Sequence, residues 1–299
     1  MEFTKKDLFD WCRISHSELA SHPSLKIPFR LCQDSQEMGT LMARELLAEI
    51  IFHNDRKEPT HAILPCGPTC WYQPFTDLVN QEHVSLHNLV VFHMDETLDW
   101  QGRELPYNHP LNFRGYMEHH FYTPVSPELS VPIENRFWLT PRTLDSIVEH
   151  IANTTIDITY GGLGQDGHIA YNQARRHPYS QISLDQLRQS SARIQENNFD
   201  TLIALAQRNF GGAYQFVPPM SITLGVKECL SARKVRLFTD TGAWKQTALR
   251  VALFGPLTVE YPITLLQEHP DALITATLAT STHPISEHPE WDLGISIER

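Results

Sequence analysis

The chain has 299 residues with 41% hydrophobic and 20% charged side chains, which excludes a wholly disordered chain and is long enough to bury a core without disulfide or metal staples. Its 24 basic residues face 35 acidic ones, so a broad electropositive face for nucleic acid is excluded, while a few local donors can still hold one small anion. No apolar run reaches the roughly 18–20 residues of a membrane span, the start MEFTKKDLFDWCRISHS lacks the apolar core of a signal peptide, and five scattered cysteines suit a reducing cytoplasm.

Residues 1–27 read as a polar N-terminal extension, ahead of a single α/β domain over 28–299. Asp34 followed by Glu37 marks a helix start, and Met38, Leu41, Met42, Leu46 and Ile50 continue it at helical spacing. Five short apolar runs follow: HAILP (61–65), NLVVFHM (88–94), IDITYGG (156–162), VRLFTD (235–240) and DALITAT (271–277). Continuous runs of this length, bounded by turn residues, suit strands buried on both faces. Helical stretches near 71–80, 143–152, 200–209 and 243–253 fall between and around them. The alternation predicts a mostly parallel, doubly wound sheet in a three-layer α/β/α, Rossmann-like fold. Such sheets bind ligands beyond the carboxyl ends of their strands.

Those strand ends carry the chemistry. After HAILP, Cys66, Gly67, Pro68 and Thr69 form a tight loop suited to cradling an anion, although taken alone a plain strand-to-helix turn explains it better. After NLVVFHM come two carboxylates, Asp95 and Glu96, which serve either chemistry or a cap. After IDITY, GGLGQDGHIAYN (161–172) contains a literal G-x-G-x-x-G that includes Gly162 and Gly164. A dinucleotide fingerprint should open a long helix inside a βαβ unit. This stretch instead runs into polar sequence and Pro178, so the dinucleotide reading is rejected. Asp166 stands two residues before His168, a spacing at which a carboxylate orients an imidazole for acid–base work. After VRLFTD, a turn at Thr241 and Gly242 leads to Lys245, a surface lysine unless an anion site lies beside it. Neither the Cys66/Cys70 spacing nor the dispersed histidines make a metal motif.

In order and spacing, FHMDE (92–96), GGLGQDGHIAYN (161–172), ALAQRNFGG (204–212), PMSITLGV (219–226), TGAWKQTAL (241–249) and LLQEHPDALIT (265–275) resemble the glucosamine-6-phosphate deaminase (isomerase) family. They resemble more distantly the 6-phosphogluconolactonases that share its fold. MDE and HIAYN look like the deaminase branch, where lactonases usually show DER and HTAS. The resemblance implies an aldose–ketose isomerase and deaminase that turns an amino-hexose 6-phosphate into a ketose 6-phosphate and ammonia, without metal or organic cofactor. It implies Asp95 as the proton shuttle between sugar carbons 2 and 1, His168 oriented by Asp166 for the ring-oxygen proton, and Arg208 and Lys245 as phosphate ligands. The 66–69 loop would assist them, and Glu96, Gly162 and Gly164 would line the sugar. A small sugar phosphate is thus the expected partner, with no nucleic acid and no membrane, and a homo-oligomer is left open because relatives vary.

Three departures bear on the substrate. Asn172, Gln173 and Ala174 stand where the family has NEP, so Gln173 replaces the Glu of the ring-opening relay. Gln173 can hydrogen-bond an imidazole but cannot stabilise an imidazolium, a loss on the order of 10²-fold if ring opening needs the full acid–base contribution. CGPTC replaces a T-G-G-T/S-P loop, and Pro68 removes one N–H donor. SARIQENN (191–198) keeps Arg193 but has Gln195 and Glu196 where regulated members have Lys and Thr, which implies no activation by N-acetylglucosamine 6-phosphate. A phosphosugar lactonase and a weakly active phosphosugar-binding regulator are the alternative functions.

Overall fold

The apolar runs become strands because each is buried on both faces. A computed structural model of the chain describes residues 3–174, 179 and 181–294. Its strands are β1 (Phe29–Cys32), β2 (Thr60–Leu64), β3 (Leu89–His93), β4 (Asp95–Leu98), β5 (Arg136–Phe137), β6 (Ile158–Gly162), β7 (Arg193–Glu196), β8 (Met220–Thr223), β9 (Lys234–Thr239) and β10 (Ala272–Thr277). Seven of them form one sheet in the order β1-β10-β9-β6-β2-β3-β5, with every neighbouring pair parallel. Side chains alternate across it. In β2, Ile63 enters the core on one face while Ala62 and Leu64 enter the core on the other, and Phe92 and Val91 of β3 divide likewise.

Helices cover the sheet. The helix Ser35–Asn54 begins where Asp34 accepts a hydrogen bond from the Glu37 amide at 2.9 Å, and the Glu37 carboxylate reaches back to the Gln33 amide at 2.6 Å. Met38, Met42, Leu46 and Ile50 on its inner face are fully buried. Each contributes about 1.5–3 kcal/mol relative to exposure. Helices Tyr72–Glu82, Leu144–Ala152, Phe199–Asn209 and Gln246–Phe254 fall close to the expected stretches, the last shortened because Ala243–Lys245 is a 3-10 turn. No helix among the described residues is long and apolar enough to cross a membrane.

The segment expected as an extension is anchored to the rest. Its helix Lys5–Cys12 packs on the helix Gln246–Phe254, Leu19 is fully buried in the core, and the Lys26 amide donates to the Leu253 carbonyl at 2.9 Å.

A second sheet, β4-β8-β7, is antiparallel and had no counterpart in the expected elements. It creates the position of Asp95. Met94 ends the run from β3 with its amide on the Leu64 carbonyl at 3.0 Å, while its own carbonyl accepts from the Leu224 amide at 2.9 Å. The chain therefore passes from one sheet into the other at Met94, and the next residue, Asp95, pairs with Thr223 of β8.

Candidate active site

The strand order reverses between β2 and β6: β3 and β5 continue to one side, β9 and β10 to the other. Loops leaving the carboxyl ends of β2 and β6 diverge there, which opens a crevice at the topological switch point. A cavity of about 370 Å³ occupies it, a size that suits a small ligand. Cys66, Gly67 and Thr69 after β2, Asp95 after β3, Gly162, Gly164 and His168 after β6, Arg208 and Lys245 all line this cavity. Asp166, Glu96 and Gln173 do not.

Asp166 stands directly behind the imidazole. Its Oδ1 lies 2.5 Å from His168 Nδ1. Burial alone would raise the Asp166 carboxyl, but the His168 charge and hydrogen bonds outweigh it and hold the group down to about 2. It is therefore a permanent anion at neutral pH, which fixes the ring orientation and leaves Nε2 as the reactive nitrogen. The glycines serve the same end. A Cβ on Gly164 would lie 2.3 Å from the His168 ring, and Gly167 adopts φ +75° with a Cβ position only 2.5 Å from the Tyr261 ring. The G-x-G-x-x-G run thus makes room for an imidazole rather than a pyrophosphate, and no long helix follows it among the described residues. Tyr171 stacks on His168 at 5.7 Å between ring centroids.

Asp95 is only partly exposed, at the cavity floor. Burial, then the neighbouring Glu96 charge, raises its carboxyl to about 7, against an opposing pull from His168. Glu96, expected to line the sugar, points elsewhere: the side chains of adjacent strand residues leave opposite faces. Its carboxylate accepts from the amides of Thr97 at 2.9 Å and of Phe113 and Arg114 at 2.8 Å each. It anchors the start of the helix Phe113–Met117 and borders a separate, smaller cavity.

Arg208 and Lys245 bring two cations to the same cavity. Arg208 projects from the last turn of the helix Phe199–Asn209, its guanidinium 5.3 Å from the Trp244 ring centroid. Lys245 ends the turn after β9. Burial and then the Arg208 charge lower its amine to about 8, with Asp240 and Asp166 pulling the other way. Two cations held this close favour an anion between them. Gly67 and Thr69 keep their amides beside them, since only Pro68 lacks one. Burial pushes the Cys66 thiol well above its usual range, which leaves it a protonated wall residue rather than a nucleophile.

Gln173 is the clearest displacement from expectation. Its Nε2 donates to Thr201 Oγ1 at 2.5 Å and its Oε1 accepts from the Asn198 amide at 2.9 Å, so the buried amide binds the start of the Arg208 helix and not the imidazole. Gln173→Ala is therefore expected to raise KM several-fold more than it lowers kcat, because it loosens the phosphate end. Gln173→Glu, which keeps both partners, stays within about tenfold of wild type; steady-state kinetics on both variants checks this.

Reasoning from motifs missed Tyr171, Trp244 and Asp240 as cavity residues, although each lies within or beside a quoted motif. It also could not foresee Gln195, whose side-chain amide donates to the Tyr171 carbonyl and braces the residue stacked on His168.

A parallel α/β sheet whose switch-point crevice joins an Asp–His pair, a buried carboxyl and two cations defines the class, the fold of sugar-phosphate deaminases and lactonases. A solved structure of a monomeric glucosamine-6-phosphate deaminase superposes with a TM-score of 0.70 at 20% identity, covering 85% of this chain and 98% of that one. A 6-phosphogluconolactonase from Shewanella baltica gives 0.56 at 14% identity, over 83% and 97%. At these identities the likeness is of fold. No protein-family model matches the chain. In sequence it is 30% identical over 249 residues to a glucosamine-6-phosphate deaminase of Aliivibrio fischeri, covering 80% of this chain and 86% of that protein. The corresponding protein of Parabacteroides distasonis is 30% identical over 80% of this chain and 84% of its own length. The chain belongs to the glucosamine-6-phosphate deaminase family of enzymes.

Proposed function

We propose that this chain isomerises and deaminates an amino-hexose 6-phosphate, giving a ketose 6-phosphate and ammonia. The observation that carries the reading is one cavity lined by Asp95, by His168 with Asp166 bonded behind it, and by Arg208 and Lys245. The two cations anchor the phosphate, so its binding energy positions the reacting carbons against Asp95 and His168. His168 Nε2 gives a proton to the ring oxygen while the anomeric hydroxyl passes its own through a water back to the imidazole, which opens the ring to the aldehyde. The Asp95 carboxylate then takes the proton from carbon 2; the C–H electron pair forms the C1=C2 bond and the aldehyde oxygen takes a proton from water, giving an enolamine and a hydroxide that is neutralised when the amine later leaves as ammonia. Asp95 returns the proton to carbon 1, leaving an iminium at carbon 2. Water adds there, ammonia departs, and the ketone remains.

A general base works best with a pKa near the operating pH, and the Asp95 value of about 7 meets that demand. Among the described residues His168 bonds one carboxylate, Asp166, while Gln173 bonds Thr201 and Asn198, so ring opening in this chain rests on a dyad. The test is release of ammonia and ketose phosphate from a panel of 2-amino-2-deoxyhexose 6-phosphates, with 6-phosphogluconolactone alongside. Turnover of an amino sugar supports the reading. Hydrolysis of the lactone alone, or ligand binding without product, overturns it in favour of a lactonase or a phosphosugar sensor.

A further inference from the structure

At the edge of the sheet opposite the cavity, three metal-ligating side chains meet. Glu49 and His53 lie one turn apart near the end of the helix Ser35–Asn54, and Asp157 immediately precedes β6. One donor atom from each lies within 4.8 Å of the others. His53 Nε2 is 3.6 Å from Glu49 Oε1 and 3.5 Å from Asp157 Oδ1. Those distances exceed the roughly 2.7–3.2 Å of an N–H···O hydrogen bond. Accordingly, neither ring nitrogen of His53 has a hydrogen-bond partner among the described residues, although the residue is only 4% exposed. A buried imidazole left without partners is costly. The same spacing is what a tetrahedral cation needs, because bonds of about 2.0–2.2 Å set its ligand atoms about 3.3–3.6 Å apart.

We propose that Glu49, His53 and Asp157 bind one divalent cation of the zinc class, each through a single atom, fastening the end of the helix to the N-terminal edge of the sheet. The surrounding contacts orient these donors. Lys234 Nζ holds the other Glu49 oxygen at 2.6 Å, and the His61 amide donates to the other Asp157 oxygen at 2.9 Å, so the two free oxygens turn toward His53. Glu58 lies 3.6 Å from His53 Nδ1, the place of the carboxylate that commonly accepts from a metal-bound imidazole. Arg233 approaches Asp157 Oδ1 at 3.6 Å, but its side chain is 63% exposed and free to swing into water. Its withdrawal opens a fourth position for a water ligand. Because Lys234 and Arg233 already offset the two carboxylates, ligation geometry rather than net charge selects the ion. The role is structural, since the reacting groups lie at the other end of the strands.

The test uses the full chain after chelator treatment, titrated with Zn²⁺ against a chromophoric competitor and, separately, with Co²⁺. The expected result is one equivalent of Zn²⁺, a higher melting temperature, and the visible d–d absorption of tetrahedral Co²⁺. His53→Gln and Glu49→Gln should each lose the equivalent and the melting shift, with the metal-free circular dichroism unchanged. Two substitutions guard against one failing to fold. Glu58→Gln should weaken binding by about 10- to 100-fold, as loss of an outer carboxylate does. Binding that survives both ligand substitutions, Co²⁺ without tetrahedral absorption, or a melting temperature indifferent to Zn²⁺ would overturn the proposal.

Discussion

Asp95→Asn is expected to lower turnover of the amino-sugar phosphate by roughly 10²–10⁴-fold, the contribution of one positioned acid–base group, while KM changes little. The amide occupies the same space at the floor of the cavity but cannot take a proton from carbon. In transition-state terms the loss is about 3–5.5 kcal/mol. The same substitution reports on the origin of the raised pKa. The folded-state value of about 7 exceeds the ordinary 3.8, so folding favours the protonated form; stability falls as pH rises from about 3.8 to about 7, and the whole cost is present above that. An asparagine removes that cost. Asp95→Asn should therefore melt no lower than wild type at pH 8 while being inactive, a combination that a merely structural role for Asp95 does not give. In wild type, kcat/KM should rise with pH through about 7 as the carboxyl ionises, and this limb should be missing from the residual activity of the variant.

Arg208→Ala is the second large effect. A charge-assisted hydrogen bond to phosphate is worth about 1.5–3 kcal/mol, which corresponds to a loss of about 10- to 150-fold in kcat/KM. The structure adds a signature. The Lys245 amine is held down to about 8, after burial, by the Arg208 charge, so removing Arg208 should raise it. Inhibition by inorganic phosphate should then weaken in the variant, and the loss of phosphate affinity expected of wild type as Lys245 deprotonates near pH 8 should move to higher pH. A loss of kcat with unchanged phosphate inhibition would place Arg208 outside the anion site. Arg208→Lys should recover only part of the affinity, because an ammonium cannot reproduce the planar fork that also lies beside the Trp244 ring.

The parallel sheet was legible because its inner strands are buried on both faces and so leave unbroken apolar runs, as in HAILP and NLVVFHM. The second sheet was not. Its strands read DETL, RIQE and MSIT, mixed sequences whose buried members include Glu96, Thr97, Gln195, Ser221 and Thr223. Such strands bury polar groups on specific partners, as Ser221 does in donating to the Asn197 side chain at 2.8 Å, and no periodicity announces that. Asp95, His168 and Lys245, which the structure places along the cavity, each directly follow an apolar run or belong to a compact motif. Glu96 was expected beside Asp95 and Gln173 at the place of the family's Glu, whereas the pleat turns Glu96 away from Asp95 and the bend after His168 sends Gln173 toward Thr201 and Asn198. A motif specifies a neighbourhood but not a direction.

In the proposed reaction Asp95 carries a proton between two carbons of a sugar phosphate, and running it in D₂O with NMR of the ketose phosphate tests that step. A carboxyl that exchanges with solvent before returning its proton should leave deuterium on carbon 1 of the ketose phosphate released with ammonia, and Asp95→Asn should form product only at the roughly 10²–10⁴-fold lower rate. Product formed by the Asp95→Asn variant at the wild-type rate, with or without label, would contradict the account.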